Sequence, residues 1–470
     1  MSLFHVFPGG IHPREGTNGK AITCRLPIEE LPQPSRVAIP LQQHIGAPCK
    51  SLVQKGDHVK TGMKIGEPVG FVSAAVHSSI SGTVVNIQPC IQANGTETLS
   101  IIIDNDFKDE WVELTPIAEP EKLDGKALSD LARQSGLVGL GGATFPHAVK
   151  YALPPNKTVD TLILNGAECE PYLSADHRLM LDKAQEIVSG AKVVQRALKI
   201  EKVVIGIENN KPDAIRAMTE ACAGDATISV VSLPVHYPQG GEKQLVYTLT
   251  GRVVKSGGLP LDSGVIVINV GSAYALNRAV YEGRPVVDRV VTVSGCVEKP
   301  ANYLARIGTP VEWLLDTSGG ITAKAMMLLY GGPMMGQAIN RVDIPVTKGC
   351  SGITVLETAP AKLGESNCIR CGRCSMVCPM RLVPSTLDKE MRKGMFEEAE
   401  RDGVMNCIEC GACTWSCPAK RQLTQSCRAS KKIITERRRA AAAKQKAEEA
   451  KKAAEAARKA AETIKTEEEK

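Results

Sequence analysis

Eight of the sixteen cysteines in this 470-residue chain fall into two short blocks, and both blocks obey one spacing. The first runs Cys368-x2-Cys371-x2-Cys374-x3-Cys378-Pro379 and the second Cys407-x2-Cys410-x2-Cys413-x3-Cys417-Pro418. Three thiolates at two-residue gaps wrap one face of a cubane iron–sulfur cluster. The fourth, set before a proline that redirects the chain, reaches a neighbouring cluster. The spacing therefore predicts two [4Fe–4S] clusters with exchanged fourth ligands. Cluster one takes Cys368, Cys371, Cys374 and Cys417; cluster two takes Cys407, Cys410, Cys413 and Cys378. Zinc also binds thiolates, but its sites pair two CxxC halves and need no third cysteine two residues on. Such clusters mean one-electron transfer.

The other eight cysteines (Cys24, Cys49, Cys90, Cys169, Cys222, Cys296, Cys350 and Cys427) are scattered. The opening MSLFHVFPGG has no basic stretch followed by an apolar one, so no export signal is read and the thiols are expected to stay reduced. These eight then serve mostly as small buried hydrophobes. A chain 43% hydrophobic and 23% charged is an ordinary globular balance. No uncharged apolar run approaches the roughly 18 residues of a membrane helix. Length alone suggests about three or four domains. With 4% aromatic residues and a formal charge of +6, no nucleic-acid partner is expected.

The fold class expected is multidomain α/β and α+β. Residues 1–115 are rich in Gly, Pro and Val in short alternating runs, so they read as β structure. Within them, 52–67 and 76–85 resemble the two halves of a lipoyl or biotinyl carrier domain, a barrel-sandwich hybrid. The stretch where such domains carry their cofactor lysine, Phe71-Val-Ser-Ala-Ala-Val76, has none, so no swinging arm is expected. Residues 120–285 alternate helical and strand patterns, with strands at Thr161–Leu164, Val203–Ile207, Ile228–Ser232 and Val265–Asn269, which predicts an α/β layer on a largely parallel sheet. Residues 288–345 open with Arg289–Gly295 and read as a small α+β module. Residues 355–430 read as a helical ferredoxin-like module, with Met391, Met395 and Ala399 on helical spacing between the blocks. From Glu436 to Lys470 the chain becomes Ala/Lys/Glu repeats, with Glu448–Lys452 and Glu455–Lys459 as i,i+4 pairs, and reads as a charged tail, helical or disordered.

A glycine loop, Gly139-Leu-Gly-Gly-Ala-Thr-Phe-Pro146, lets backbone approach a ligand and leads into a helix start suited to phosphate. Three further patches accompany it: Asn165-Gly-Ala-Glu-Cys-Glu-Pro171, Tyr237-Pro-Gln-Gly-Gly-Glu-Lys243 and Ile268-Asn-Val-Gly-Ser272. In order and spacing these resemble the FMN- and NADH-binding subunit of respiratory complex I, and Arg289–Gly336 resembles the SLBB β-grasp domain that follows there. The whole arrangement is similar to the C subunit of the Rnf electron-transport complex. It runs Gly9-Gly-Ile-His-Pro13, carrier-like domain, flavin domain, SLBB, two cysteine blocks and a charged Ala-rich tail. The resemblance implies that Gly139, Gly141, Gly142, Ala143 and Lys150 line an FMN site, together with Asn165, Glu168, Gly240, Gly241, Asn269 and Ser272. It implies that Glu242 sits near the nicotinamide and that Phe145 and Glu170 contact NADH. As the lesser alternative, Glu168 and Glu170 could cap a loop or form an ion pair, and Phe145 could be core. Ala167 stands where complex I has an aspartate, and no phenylalanine-rich adenine clamp is visible around Arg252–Leu261.

Nicotinamide exchanges two electrons as a hydride, a cluster one at a time, and a flavin mediates between them. The resemblance thus implies NAD(H) as substrate, with FMN and two clusters relaying electrons to a partner. Those partners would be the other subunits of a membrane complex, an iron–sulfur subunit above all, with ferredoxin engaged indirectly and Na⁺ or H⁺ moved. The chain would lie peripherally on the cytoplasmic face of a bacterial inner membrane. The basic run Arg428, Lys431, Lys432, Arg437, Arg438 and Arg439 suggests either a lipid or acidic docking patch or a solvated stretch. Two other readings stand beside this one: a soluble flavin/iron–sulfur cobalamin reductase, and a non-catalytic electron-relay and docking subunit.

Overall fold

The computed structural model describes residues 5–13, 19–359 and 364–468. The chain divides into two compact units, residues 1–363 and 364–470.

In the first unit, the runs TLIL, VVIGI and VIVIN are too continuously apolar for a half-exposed strand, and they form three of the four strands of a parallel sheet buried on both faces. Its order is Ile228–Leu233, Lys202–Glu208, Thr161–Gly166, Val265–Asn269, every pair parallel. All four expected strands are present within two residues of their expected ends. From Thr161–Gly166 the chain builds outward on one side, then crosses back to lay Val265–Asn269 on the other. The carboxyl ends of those two strands flank the topological switch point, where open α/β sheets bind ligands. Asn165 and Asn269 stand there in register.

The module after it forms a six-stranded sheet in the order Ile28–Glu30, Ala301–Arg306, Asp288–Gly295, Gly352–Leu356, Met327–Tyr330, Gln337–Ile339. This corrects the expected boundaries. Gly352–Leu356 pairs with both Asp288–Gly295 and Met327–Tyr330, so the sheet runs past residue 345 and through 355. Ile28–Glu30, assigned by sequence to the N-terminal domain, is its parallel edge strand.

Residues 36–105 form two small antiparallel sheets around Val37, Ile39, Ile65, Val76, Ile101 and Ile103. The returning arm of the hairpin whose tip carries the cofactor in carrier domains is here packed inside, while Phe71 at its turn stays exposed. Ala74, Ala75 and Val76 are fully buried, Arg133 Nη1 donates to the Phe71 carbonyl at 3.1 Å, and Ala75 N donates to the Arg133 carbonyl at 3.0 Å. Lys348, almost completely buried, clamps the junction by donating to the carbonyls of Ala75 (2.8 Å) and Gly136 (2.7 Å). Burial pushes its ammonium down to about 8.

The second unit is helical. Met391, Met395 and Ala399 do not share one helix, because Gly394, in the left-handed region at φ +70°, separates Pro384–Arg392 from Phe396–Arg401. The two cysteine blocks are structural repeats. Left-handed residues at Arg370, Gly372 and Arg381 return at Glu409, Gly411 and Lys420. The tail is helical and begins earlier than Glu436: one 46-residue helix spans Leu423–Glu468. Its first turns bury Leu423, Cys427 and Ile434, and the side chains from 436 to 450 are exposed.

Candidate functional site

At the switch point the glycine loop is tied down at both ends and open in the middle. Gly139 N donates to the Phe145 carbonyl at 2.9 Å and Thr144 N to the Gly139 carbonyl at 3.1 Å. Ser272 joins the loop to the helix Val270–Tyr281. Its hydroxyl accepts from Leu140 N at 2.9 Å and donates to the Val138 carbonyl at 3.1 Å. Gly141, Gly142 and Ala143 are exposed. A Cβ on Gly141 would stand 3.2 Å from Asn269 Nδ2, and Gly142 sits at φ +107°. This is an open backbone cradle that side chains would fill.

The two strand-end asparagines organise the rest. Asn165 Nδ2 donates to the Gly240 carbonyl at 2.9 Å, which fixes the Gly240–Gly241 turn against the sheet. Asn269 caps the helix Val270–Tyr281 by accepting from Gly271 N at 2.8 Å, and donates to Asp176 Oδ2 at 2.6 Å. Lys150 Nζ donates to Glu242 Oε1 at 2.8 Å and to the Val267 carbonyl at 2.7 Å. Phe145 lies beside it, its ring centroid 6.0 Å from Nζ. Thus Gly139, Gly141, Gly142, Phe145, Lys150, Asn165, Gly240, Gly241, Glu242, Asn269 and Ser272 gather around the two strand ends. The cradle, its uncharged amide groups and one cation fit an anionic, ring-bearing cofactor such as FMN.

Glu168 and Glu170 do other work. Glu168 accepts from Asp176 N (2.8 Å) and His177 N (3.1 Å), capping the helix Ala175–Asp182. Glu170 Oε1 accepts from Met334 N (2.6 Å) and Met335 N (3.0 Å), fastening the loop to the six-stranded sheet's module. Burial raises the Glu170 carboxyl, with those two amides opposing the shift. Both carboxylates accept from backbone amides, as loop caps do.

The Gly9-Gly-Ile-His-Pro13 motif lies against the same region. Ile11 exchanges two backbone hydrogen bonds with Tyr237, both 2.9 Å. Gly10, at φ +81°, leaves no room for a side chain, since a Cβ would meet His236 Nε2 at 2.4 Å. The motif thereby braces the segment that presents Gly240, Gly241 and Glu242.

In the second unit a cavity is bordered by Cys368, Cys371, Cys374 and Cys417, a set drawn from both blocks. Cys378 lies with the other set: the thiols of Cys410 and Cys413 feel it together with Cys407. Burial pushes Cys410 up to about 12 and Cys413 up to about 11. Among the described residues no three thiols, carboxylates or imidazoles close on a single-ion centre. Four thiols around a cavity fit a multi-iron cluster, whose binding would deprotonate them.

Four family descriptions match along the chain. They are the RnfC barrel sandwich hybrid domain at residues 5–108, the Nuo51 FMN-binding domain at 132–278, the SLBB domain at 290–338, and a 4Fe-4S dicluster domain at 361–418. Over 94% of its length the chain is 47% identical to the C subunit of the proton-translocating ferredoxin:NAD(+) oxidoreductase complex of Clostridium ljungdahlii, and spans 95% of that protein. It is also 44% identical, over 93% of its length and 99% of the relative's, to the C subunit of the Na(+)-translocating ferredoxin:NAD(+) oxidoreductase complex of Acetobacterium woodii. The chain belongs to this family of C subunits. A crystal structure of NAD+-reducing [NiFe]-hydrogenase in the H2-reduced state is similar at 18% identity and a TM-score of 0.46, over 66% of this chain and 65% of that one.

Three features of this family member escape sequence reading. Asp176, half-buried beside Glu168 and Asn269, has its carboxyl pushed up to about 7, by desolvation first and by the Glu168 charge second. Its only sequence signal was a place near a helix start. Cys427, one of the scattered cysteines, is buried beside Cys407. The basic run after the second block is largely engaged: Arg428 and Lys431 pair with Glu409, Arg438 pairs with Glu400, and Arg437 stacks on Phe396 with 4.7 Å between centres. Two paired carboxylates stand against six basic side chains, so this stretch of the helix keeps a net positive charge. Among the described residues, no helix is long and apolar enough to cross a membrane.

Proposed function

We propose that this chain is the NAD(H)-reacting subunit of a membrane-bound electron-transport complex. It passes electrons between NAD(H), FMN, two [4Fe–4S] clusters and an iron–sulfur partner subunit. The complex couples ferredoxin:NAD+ redox chemistry to Na⁺ or H⁺ movement, and the chain sits peripherally on the cytoplasmic face. The observation that carries this reading is the gathering of the glycine loop, Asn165, Asn269 and the Lys150–Glu242 pair at the switch point of a chain that also holds two interleaved cysteine blocks.

A bound flavin supplies the exchange between hydride and single-electron chemistry. The chain's own residues supply placement. The Gly139–Ala143 backbone and Lys150 hold the anionic cofactor, while Asn165, Asn269 and Ser272 set the shape of its floor. Glu242, oriented by Lys150, positions the nicotinamide beside the flavin, and Phe145 flanks the same opening. Glu168 and Glu170 keep the intervening loop rigid. Cys368, Cys371, Cys374 and Cys417 ligate cluster one; Cys407, Cys410, Cys413 and Cys378 ligate cluster two. No strong side-chain acid or base is required.

A visible spectrum, acid extraction of the flavin and an NADH titration of the purified holoprotein test this in sequence. One FMN per chain that bleaches with NADH is expected. Glu242→Gln should keep the flavin and slow NADH oxidation by about 10–100-fold, the cost of a misplaced reactant. Flavin that NADH does not reduce would favour the relay-and-docking reading; flavin lost from Glu242→Gln would place that residue in the FMN cradle.

A further inference from the structure

Two buried cations hold the glycine loop and the turn before it, and neither comes from the FMN-binding domain, residues 132–278, that carries the loop. Arg289 stands at the start of Asp288–Gly295, and Lys348 shortly precedes Gly352–Leu356, both strands of the six-stranded sheet. Arg289 is 6% exposed and Lys348 1%. Arg289 Nη1 donates to the Leu140 carbonyl at 3.1 Å and to the Lys348 carbonyl, and its Nε to the Val290 carbonyl at 3.2 Å. Lys348 Nζ grips the Gly136 carbonyl just ahead of the loop. The segment carrying Lys348 runs against the loop itself, since a Cβ on Gly349 would meet Thr144 Cγ2 at 2.7 Å. Among the described residues no carboxylate stands within ion-pair distance of either cation, and carbonyl oxygens alone receive them. Asp176 acts on Arg289 only from beyond that distance. Carbonyl dipoles return only part of the hydration a buried charge gives up. Two uncompensated charges therefore adjoin an open cradle.

Leu140 is held by both its backbone groups, the N–H by the Ser272 hydroxyl at 2.9 Å and the carbonyl by Arg289. A trans peptide sets its C=O and the following N–H on opposite sides. Drawing the Leu140 carbonyl onto a buried guanidinium thus turns the Gly141 N–H the other way, to the exposed side of the loop. Gly141, Gly142 and Ala143 are exposed, and among the described residues their N–H groups have no acceptor. Consecutive free amides around a left-handed glycine, here Gly142 at φ +107°, make a concavity suited to an anion. We propose that Arg289 is a positioning residue for the flavin phosphate: by holding the Leu140 carbonyl it presents the loop amides to the phosphate, and its unpaired charge makes the site prefer a phosphorylated flavin. The module that follows the flavin domain would then set that domain's choice of cofactor.

This role rests on the FMN reading proposed above, which the parent protein tests first. The purified full chain, stripped of its flavin, is titrated with FMN and with riboflavin, which lacks the phosphate, and binding is read by flavin fluorescence. The parent should bind FMN the more tightly. Arg289→Met should weaken FMN binding by about 10–100-fold, the loss of a hydrogen-bonded charge, and leave riboflavin binding near the parent value. Arg289→Lys, which keeps the cation, should recover most of the preference for FMN. Should Arg289→Met not fold, Arg289→Gln, neutral but still a donor, takes its place and should also lose the preference. FMN and riboflavin weakened alike would make Arg289 a merely structural residue and overturn the proposal. So would FMN binding equal to the parent's, or a lysine variant no better than the neutral one. A parent that binds both flavins equally overturns the proposal alone; a parent that binds neither overturns the FMN reading with it.

Discussion

Cys368 and Cys371 stand exposed, whereas Cys407 and Cys410 at the equivalent places of the second block are half-buried and buried. The spacing is identical; the covering is not. Over the second block the helix Leu423–Glu468 lays Thr424 against Cys413, Cys427 in the apolar cluster that Cys407 packs on, and Lys431 on the Cys407 carbonyl, each about one turn from the next. The corresponding helix of the first block, Pro384–Arg392, spends Asp388 on a polar hub that ties Arg392, Arg421 and Ser426 together. Both repeats use charge, but one is left open and the other is closed over, with apolar contacts added to the Glu409 ion pairs. Two sites with the same ligands become unequal through what lies outside the ligand set.

The sharpest way to break this comparison is to exchange its ends. Cys417→Ala should cost the protein its first cluster and Cys378→Ala its second, each losing about half the iron, read by iron analysis with EPR on both variants. If Cys417→Ala perturbs the second block's cluster alone, the blocks are independent and the contrast drawn between them refers to the wrong ligand sets.

A smaller effect is expected at the polar hub. Burial alone would raise the Asp388 carboxyl, but Ser426, Arg392 and Arg421 hold it below its ordinary value of 3.8. A lowered acid contributes stability above the ordinary value and loses it only as pH falls through the lowered one, so the hub is at full strength at neutral pH. Asp388→Ala strands the half-buried Arg421 and should destabilise the second unit by about 2–3 kcal/mol, less than a fully buried network because Arg392 is 43% exposed. Thermal unfolding at pH 7 should register this as a drop of roughly 10 °C. An unchanged midpoint would mean that the first repeat does not depend on its charges.

The smallest effect belongs to the tail. Ending the chain after Arg439 keeps Cys427, Ile434 and the Arg437 and Arg438 contacts with the helix Phe396–Arg401, and removes a stretch whose described side chains are exposed. Iron content should be unchanged and unfolding should move by no more than about 0.5 kcal/mol. A loss of either cluster would show that the closed-over repeat depends on the distal helix as well as its first turns.

Local patterns were legible and long-range partners were not. Thr161–Gly166 and Val265–Asn269 could be read from unbroken apolar runs, because a strand buried on both faces has no polar side to hide. Ile28–Glu30 carries no such pattern. It is strand only because Ala301–Arg306 offers it an edge. Gly352–Leu356 escaped as well, since its place between two other strands depends on pairing with residues dozens of positions earlier. The basic run looked free because its acceptors, Glu409 and Glu400, lie in other elements. Glu168 and Glu170 matched a ligand-contacting pattern by position, yet which groups a carboxylate meets depends on how the loop folds back.

The cysteine spacing by itself supplied eight candidate ligands and the expectation of a crossed pattern, because bonds to iron leave little freedom in how far apart along the chain the thiols can lie. The glycine clusters and asparagines likewise announced a backbone cradle at strand ends. Only the tertiary structure decided that Asp176 bonds to Asn269, that Lys348 fastens the carrier-like hairpin at Ala75, and that Cys427 packs in the apolar cluster beside Cys407 while Asp388 reaches arginines. These are contacts between surfaces far apart in sequence. Burial and charge act through distance in space, which residue order alone does not specify.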